Sequence, residues 1–144
     1  MKYAYWKTKN TYFIRSVLKH PEVQPYMLPE VAELPAVSLK ALFDKNLTIY
    51  SIFMEDKVAG IAVFQKKDKR STVDVAFLPG YRGKYALRAS KRILSEYQNE
   101  HNLVTIEGKI RKANKRSLFF ARMCGFKLIN SDDNHYHVEL NGNG

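Results

Sequence analysis

The sequence predicts a mixed α/β (α+β) fold, a mostly antiparallel sheet with helices on both faces and one parallel strand pair. Three observations predict it. Two β-rich runs, Leu47 to Met54 and Val58 to Gln65, flank the short polar segment Glu55-Asp56-Lys57, which is a hairpin signal. The period then changes: from Gly83 to Tyr97 the residues Ala86, Leu87, Ser90, Ile93, Leu94 and Tyr97 recur at helical spacing. That helix is bracketed by strand-like runs at Thr72 to Leu78 and Leu103 to Ile110. A strand–helix–strand unit of this kind sets its strands parallel with a right-handed crossover.

The elements follow in order. A short strand over Lys2 to Lys7 comes first, with Tyr3, Tyr5 and Trp6 sealing a sheet edge. Thr11 to Lys19 reads as a helix with Phe13, Ile14, Val17 and Leu18 inward. His20-Pro21 ends it, because the residue before a proline avoids helical backbone. Pro25 and Pro29 keep the next segment irregular, and Ala36 to Asp44 forms a second helix on Val37, Ala41 and Leu42. After the hairpin, the charged run Lys66 to Arg70 turns the chain into the third strand of a meander. Asn114 to Met123 reads as a helix, and two closing strands lie near Phe126 to Ile129 and Tyr136 to Leu140.

Composition bounds the class. With 144 residues, 45% of them hydrophobic, the chain can bury a core, and residues 1–140 are expected to form a single domain with 141–144 as a flexible tail. No apolar run is long enough to span a bilayer, and the first residues lack the apolar core of a secretion signal. One cysteine, Cys124, excludes an internal disulfide and a cysteine-rich zinc site. A cytoplasmic protein is expected, with a monomer and a homodimer both open. The net charge of +10 favours acidic partners such as nucleic acid, anionic lipid or a polyphosphate ligand; plain solubility is the other reading. Cys124 reads as a packing residue. His135 and His137, beside Asp132 and Asp133, read as surface residues, since a metal needs a third fixed ligand; no metal is expected.

The segment from Leu78 to Ala86, Leu-Pro-Gly-Tyr-Arg-Gly-Lys-Tyr-Ala, carries the chemistry. A helix N-terminus offers N–H groups without intrahelical partners and a partial positive charge. Glycines before it let the backbone approach an anion closely. Gly80 and Gly83 supply the turn, while Arg82 and Lys84 add full charges. A simple strand-to-helix connection would also use glycines.

This segment resembles the pyrophosphate loop of the GNAT family of N-acetyltransferases, typically Arg-Gly-x-Gly before a helix rich in small residues. Asn114-Lys-Arg-Ser117-Leu-Phe-Phe120-Ala-Arg-Met-Cys-Gly125-Phe126 is similar to that family's later motif. The resemblance covers roughly Thr48 to Leu140. His20-Pro21-Glu22-Val23-Gln24-Pro25 further resembles small members encoded by bacteriophages, for which the location would be the host cytoplasm.

The resemblance implies acetyl-coenzyme A as cofactor and an amine of a small molecule, a protein or a modified nucleic acid as acceptor. Val75, Ala76, Phe77 and Leu78 would lie beside pantetheine as another strand would. The backbone of Arg82, Gly83, Lys84, Tyr85 and Ala86 would hold the pyrophosphate. Splaying between the strand at Val73–Leu78 and that at Leu103–Ile110 would open a V-shaped cleft. Asn114, Ser117 and Phe120 would face the pantetheine arm, with Lys115 or Arg116 reaching a phosphate. Direct attack of an amine needs a base and oxyanion donors. The donor is expected near Phe77 or Leu78, and the base is Asp74 or Glu107, unless these carboxylates face solvent or pair with lysines. The pattern departs in places. Ala121 stands where the family usually has a tyrosine that protonates coenzyme A, Tyr85 where the loop has Gly or Ala, and Gly80 where Gln or Arg is common. Tyr85 could supply a hydroxyl instead. A binding or virion-associated protein of this fold without catalysis, and a nucleic-acid-modifying acyltransferase, are the alternatives.

Overall fold

Alternating β-branched and aromatic residues build the first half of the sheet. In the computed structural model, residues 2–9, 17, 20, 21, 23 and 46–142 are described. Most of the expected helix over Thr11–Lys19, the prolines at 25 and 29, and the helix over Ala36–Asp44 lie outside them. Strand β1 (Tyr3–Lys7) pairs antiparallel with β2 (Leu47–Met54), which pairs with β3 (Lys57–Lys67), and β3 with β4 (Arg70–Phe77). The meander is as expected, with longer arms. Glu55 and Asp56 both have positive φ, 49° and 64°, so a two-residue turn matched to strand twist carries pairing right up to the loop. Tyr3 and Tyr5 pack on the core at the β1 edge, whereas Trp6 stays exposed and rests edge-on against Phe53, with ring centroids 5.2 Å apart.

Helix α1 (Lys84–Glu100) connects β4 to β5 (Thr105–Arg111), and these two strands are parallel. Helix α2 (Lys115–Met123) leads to β6 (Lys127–Ser131) and β7 (His135–Leu140). The seven-stranded sheet has the order β1-β2-β3-β4-β5-β7-β6. β5 pairs β7 along its length, and β6 closes the far edge with all five residues exposed.

Each face has its own core. On one, α1 buries Ala86, Ala89, Ile93, Leu94 and Tyr97 against Tyr50, Ile52, Phe64, Ile106 and Val138, and Leu118, Phe120 and Ala121 of α2 pack alongside. Each Val, Leu, Ile or Phe side chain among them, when fully buried, contributes about 1.5–3 kcal/mol. Tyr97 stacks on Phe64 at 4.0 Å and its hydroxyl accepts from Ser71 Oγ at 3.0 Å. The other face holds Ile49, Ile61, Val63 and Ala76 beneath Val23 and the helical residue Val17, which is fully buried. α1 runs three residues past Tyr97. Gln98, itself buried, donates through Nε2 to the carbonyls of Val104 (3.2 Å) and Leu140 (3.3 Å), so the last turn is tied to the sheet. Asn102 and Leu103, both at positive φ, then turn the chain into β5.

Candidate functional site

The sheet is split at its parallel pair. Only Arg70, Ser71 and Thr72 of β4 pair with Thr105, Ile106 and Glu107 of β5. Beyond them β4 continues to Phe77 on its ladder with β3, and β5 to Arg111 on its ladder with β7, without pairing each other. Backbone polar groups along the parted edges therefore face a gap. Leu78 donates its N–H to Ala59 at 2.8 Å, toward β3. Because strand N–H groups alternate in direction, those of Val75 and Phe77 point the other way, into the gap, while that of Val73 closes the last parallel bridge, between Thr72 and Glu107. The expectation that Leu78 donates to a substrate oxygen is corrected by that bond, which leaves Phe77 and Val75. At the closed end Arg70 reaches across from β4, bonding Glu107 of β5 and Glu139 of β7.

The gap is a cleft of about 560 Å³. Strand direction puts the C-terminal ends of β4 and β5, and hence the N-termini of both following helices, at its open end. α1 begins at Gly83 (φ 124°, ψ −152°), without a side-chain cap and without an acidic residue in its first turn. Its first backbone bond is Leu87 N–H to Gly83 O, 3.0 Å, so the amides before Leu87 precede the helical ladder. α2 is capped by Asn114, whose Oδ1 accepts from the Ser117 N–H at 3.2 Å, and also lacks an acid in its first turn. Among the described residues, five cations line the cleft, Arg82, Lys109, Arg111, Lys115 and Arg116, against one carboxylate, Asp74. Inward the walls turn apolar: Ala86 and Leu94 on α1, Phe120 and Ala121 on α2 with Cys124 just after it, and Phe126 and Val138. Ser90 stands midway on the α1 wall, 2% exposed, and its Oγ has no hydrogen-bond partner among the described residues.

The structure brings together Asp74, Val75, Ala76, Phe77, Arg82, Ala86, Asn114, Ser117 and Phe120 of the residues read from the sequence. Leu78, Gly83, Lys84 and Tyr85 adjoin this lining without belonging to it. The Tyr85 ring instead lies under Lys84 Nζ (5.1 Å) and Arg88 Cζ (5.6 Å). Glu107 is held in the Arg70 cluster and is also outside the lining. Sequence reasoning missed Ser90 and Leu94 as cleft residues, although Ala86, Ser90 and Leu94 form an i, i+4, i+8 stripe on one helix face. Cys124 lines the cleft, and burial pushes its thiol up to about 11, so it stays protonated near neutrality. His137 Nε2 is 2.9 Å from Asp132 Oδ2, which holds that carboxyl well below its usual range. Among the described residues no cluster of His, Cys, Asp or Glu is fit to hold a metal, and no helix is long and apolar enough to cross a membrane.

No protein-family model matches the sequence, and no curated protein matches it. Solved structures do match in fold. N-acetyltransferase PseH of Campylobacter jejuni, in complex with acetyl coenzyme A, superposes with a TM-score of 0.74 at 16% identity, covering 97% of this chain and 99% of that one. An acetyltransferase of the GNAT family from Bacillus anthracis gives 0.75 at 15%, covering 100% and 97%. A dodecameric spermidine N-acetyltransferase from Vibrio cholerae gives 0.76 at 12%, covering 97% and 94%. Over its described residues the chain has the fold of these N-acetyltransferases.

Proposed function

We propose that the protein is an acetyl-coenzyme A-dependent N-acetyltransferase, working as one domain on an amine by direct attack. The observation that carries this reading is the split between β4 and β5, with two basic helix N-termini at its mouth. Coenzyme A fits what is there. The uncapped amides of α1 with Arg82 suit a pyrophosphate, and Lys115 and Arg116 suit a further phosphate. The outward backbone groups of Val75 and Phe77 suit an arm that carries amides, as a neighbouring strand would. Bound acetyl-coenzyme A supplies a thioester carbonyl open to a nucleophile.

The chain's own residues do the rest. Among the described residues Asp74 is the one carboxylate lining the cleft, and it accepts the proton lost by the attacking amine, directly or through water. Glu107 is less suited, because Arg70 holds its carboxylate outside the cleft. The Phe77 or Val75 N–H donates to the oxygen on which charge develops. Acetyl transfer would form the C–N bond and break the C–S bond, with water protonating the departing thiolate. No tyrosine lines the cleft among the described residues, Ala121 being small and Tyr85 directed elsewhere.

The acceptor carries an anionic group, nucleic acid included, on the strength of Lys109 and Arg111 in the lining. A polyamine such as spermidine matches poorly with a described lining of five cations and one carboxylate. Thermal denaturation with acetyl-coenzyme A tests the reading. A ligand of the folded state at about a hundred times its Kd adds roughly 2.7 kcal/mol, which is a clear rise in Tm. No rise at millimolar concentration refutes coenzyme A binding. Binding without thiol release across anionic and cationic amines would leave a binding protein and refute catalysis.

A further inference from the structure

Ser90 is the anomaly of the cleft wall. It sits in the middle of α1, 2% exposed, and its hydroxyl neither bonds back to its own helix nor meets any other partner among the described residues. Serine in a helix interior commonly bonds the carbonyl four residues back, and buried hydroxyls are nearly always satisfied. An orphaned one destabilises the empty fold. Alanine would form the helix better and leave nothing unpaired. The residue also lines the cleft, one turn beyond Ala86 and one before Leu94.

We propose that Ser90 is a binding residue for the coenzyme A arm, its hydroxyl donating to a carbonyl oxygen of the pantetheine amides. This rests on the reading of the cleft as a coenzyme A site. Ser90 lies about 6 Å along the helix axis from Ala86, at 1.5 Å per residue. An arm leaving a phosphate at the first turn passes this height at its amides, before its sulfur. The partner is a neutral carbonyl and not a charged group. The walls at and beyond this point, Leu94, Phe126 and Val138, are apolar and would leave a charge desolvated.

The test uses Ser90→Ala and Ser90→Cys, with calorimetric titration of coenzyme A and of 3′-phosphoadenosine 5′-diphosphate, the fragment without the arm. Both variants are expected to weaken coenzyme A by roughly three- to tenfold, the worth of one neutral hydrogen bond, and to leave the fragment unchanged. Without ligand, Ser90→Ala is expected to melt higher than wild type by roughly 2–4 °C. A purely structural serine would do the reverse. Unchanged coenzyme A affinity overturns the proposal, as does equal weakening of the fragment or a lower melting point in Ser90→Ala. Wild-type protein that binds neither compound overturns the coenzyme A reading itself, and this proposal with it.

Discussion

Gly83 allows charge and backbone strain at the helix mouth to be separated with two variants. Its φ of 124° and ψ of −152° lie in a region that glycine alone enters freely, and a Cβ built there meets nothing within 4 Å. Any other residue carries about 1–3 kcal/mol of strain and no clash. Gly83→Ala bears that cost alone. Gly83→Asp bears it too, but an aspartate at the N-cap recovers roughly 0.5–2 kcal/mol by capping the free amides. It should therefore be the more stable of the two by about 1 kcal/mol, read as a higher urea midpoint. Binding should order the other way. A carboxylate about 5 Å from a phosphate, at an effective dielectric of about 20, costs roughly 3 kcal/mol per phosphate charge. Coenzyme A affinity should drop by about two decades or more in Gly83→Asp relative to Gly83→Ala, with the gap narrowing as salt is raised. Calorimetric titration of both variants at low and high salt checks this. Equal affinities, with Gly83→Asp the more stable, would mean that the phosphates do not sit at α1.

Three further outcomes are expected. Asp74→Asn should lower kcat by about 10²–10⁴, the usual worth of general base catalysis, and leave coenzyme A affinity unchanged; an unaltered rate assigns proton removal to water. Gly60→Ala should destabilise by about 1–3 kcal/mol, because its Cβ would lie 2.5 Å from the Ala76 carbonyl oxygen and 2.8 Å from the Phe77 ring; an unshifted urea midpoint refutes that packing. His101 is held below its ordinary value of 6.5 by burial first and Lys66 second, and its ring lies 4.2 Å from that of Tyr97. The unfolded chain therefore takes up the proton first, so stability present above about pH 6.5 declines as pH falls below it. Tm followed from about pH 7 to about pH 5 should fall less steeply in His101→Phe than in wild type, and parallel curves would remove His101 from the account.

Periodicity made the strands and α1 legible, since Ala86, Ser90, Leu94 and Tyr97 repeat at helical spacing. The glycine-bearing turn into the uncapped N-terminus of α1 was legible because glycine placement and helix polarity are local properties. What was hidden depends on partners far apart in sequence. α1 extends to Glu100 because Gln98 bonds Leu140, 42 residues away. Glu107 reads as a base candidate on a central strand, or as a carboxylate facing solvent or paired with a lysine. Arg70, 37 residues earlier, claims it. The loss of Leu78 as a donor follows from the register of β3 against β4, and no pattern in the Leu78 neighbourhood encodes that. Ser90 looked like one more small residue on a packed helix; only the parted strands beneath it reveal an unmet hydroxyl.

Mechanically, a continuous sheet is stiff because every strand is braced on both sides. Here two plates, β1 to β4 and β5 to β7, share a hinge of three residue pairs, pinned by the Arg70 cluster. A guest that bonds both parted edges acts as a strut between the plates. Stiffening of the sheet and occupancy of the cleft then become the same event, and the amides of Val75 and Phe77 should slow their hydrogen exchange together as the guest arrives.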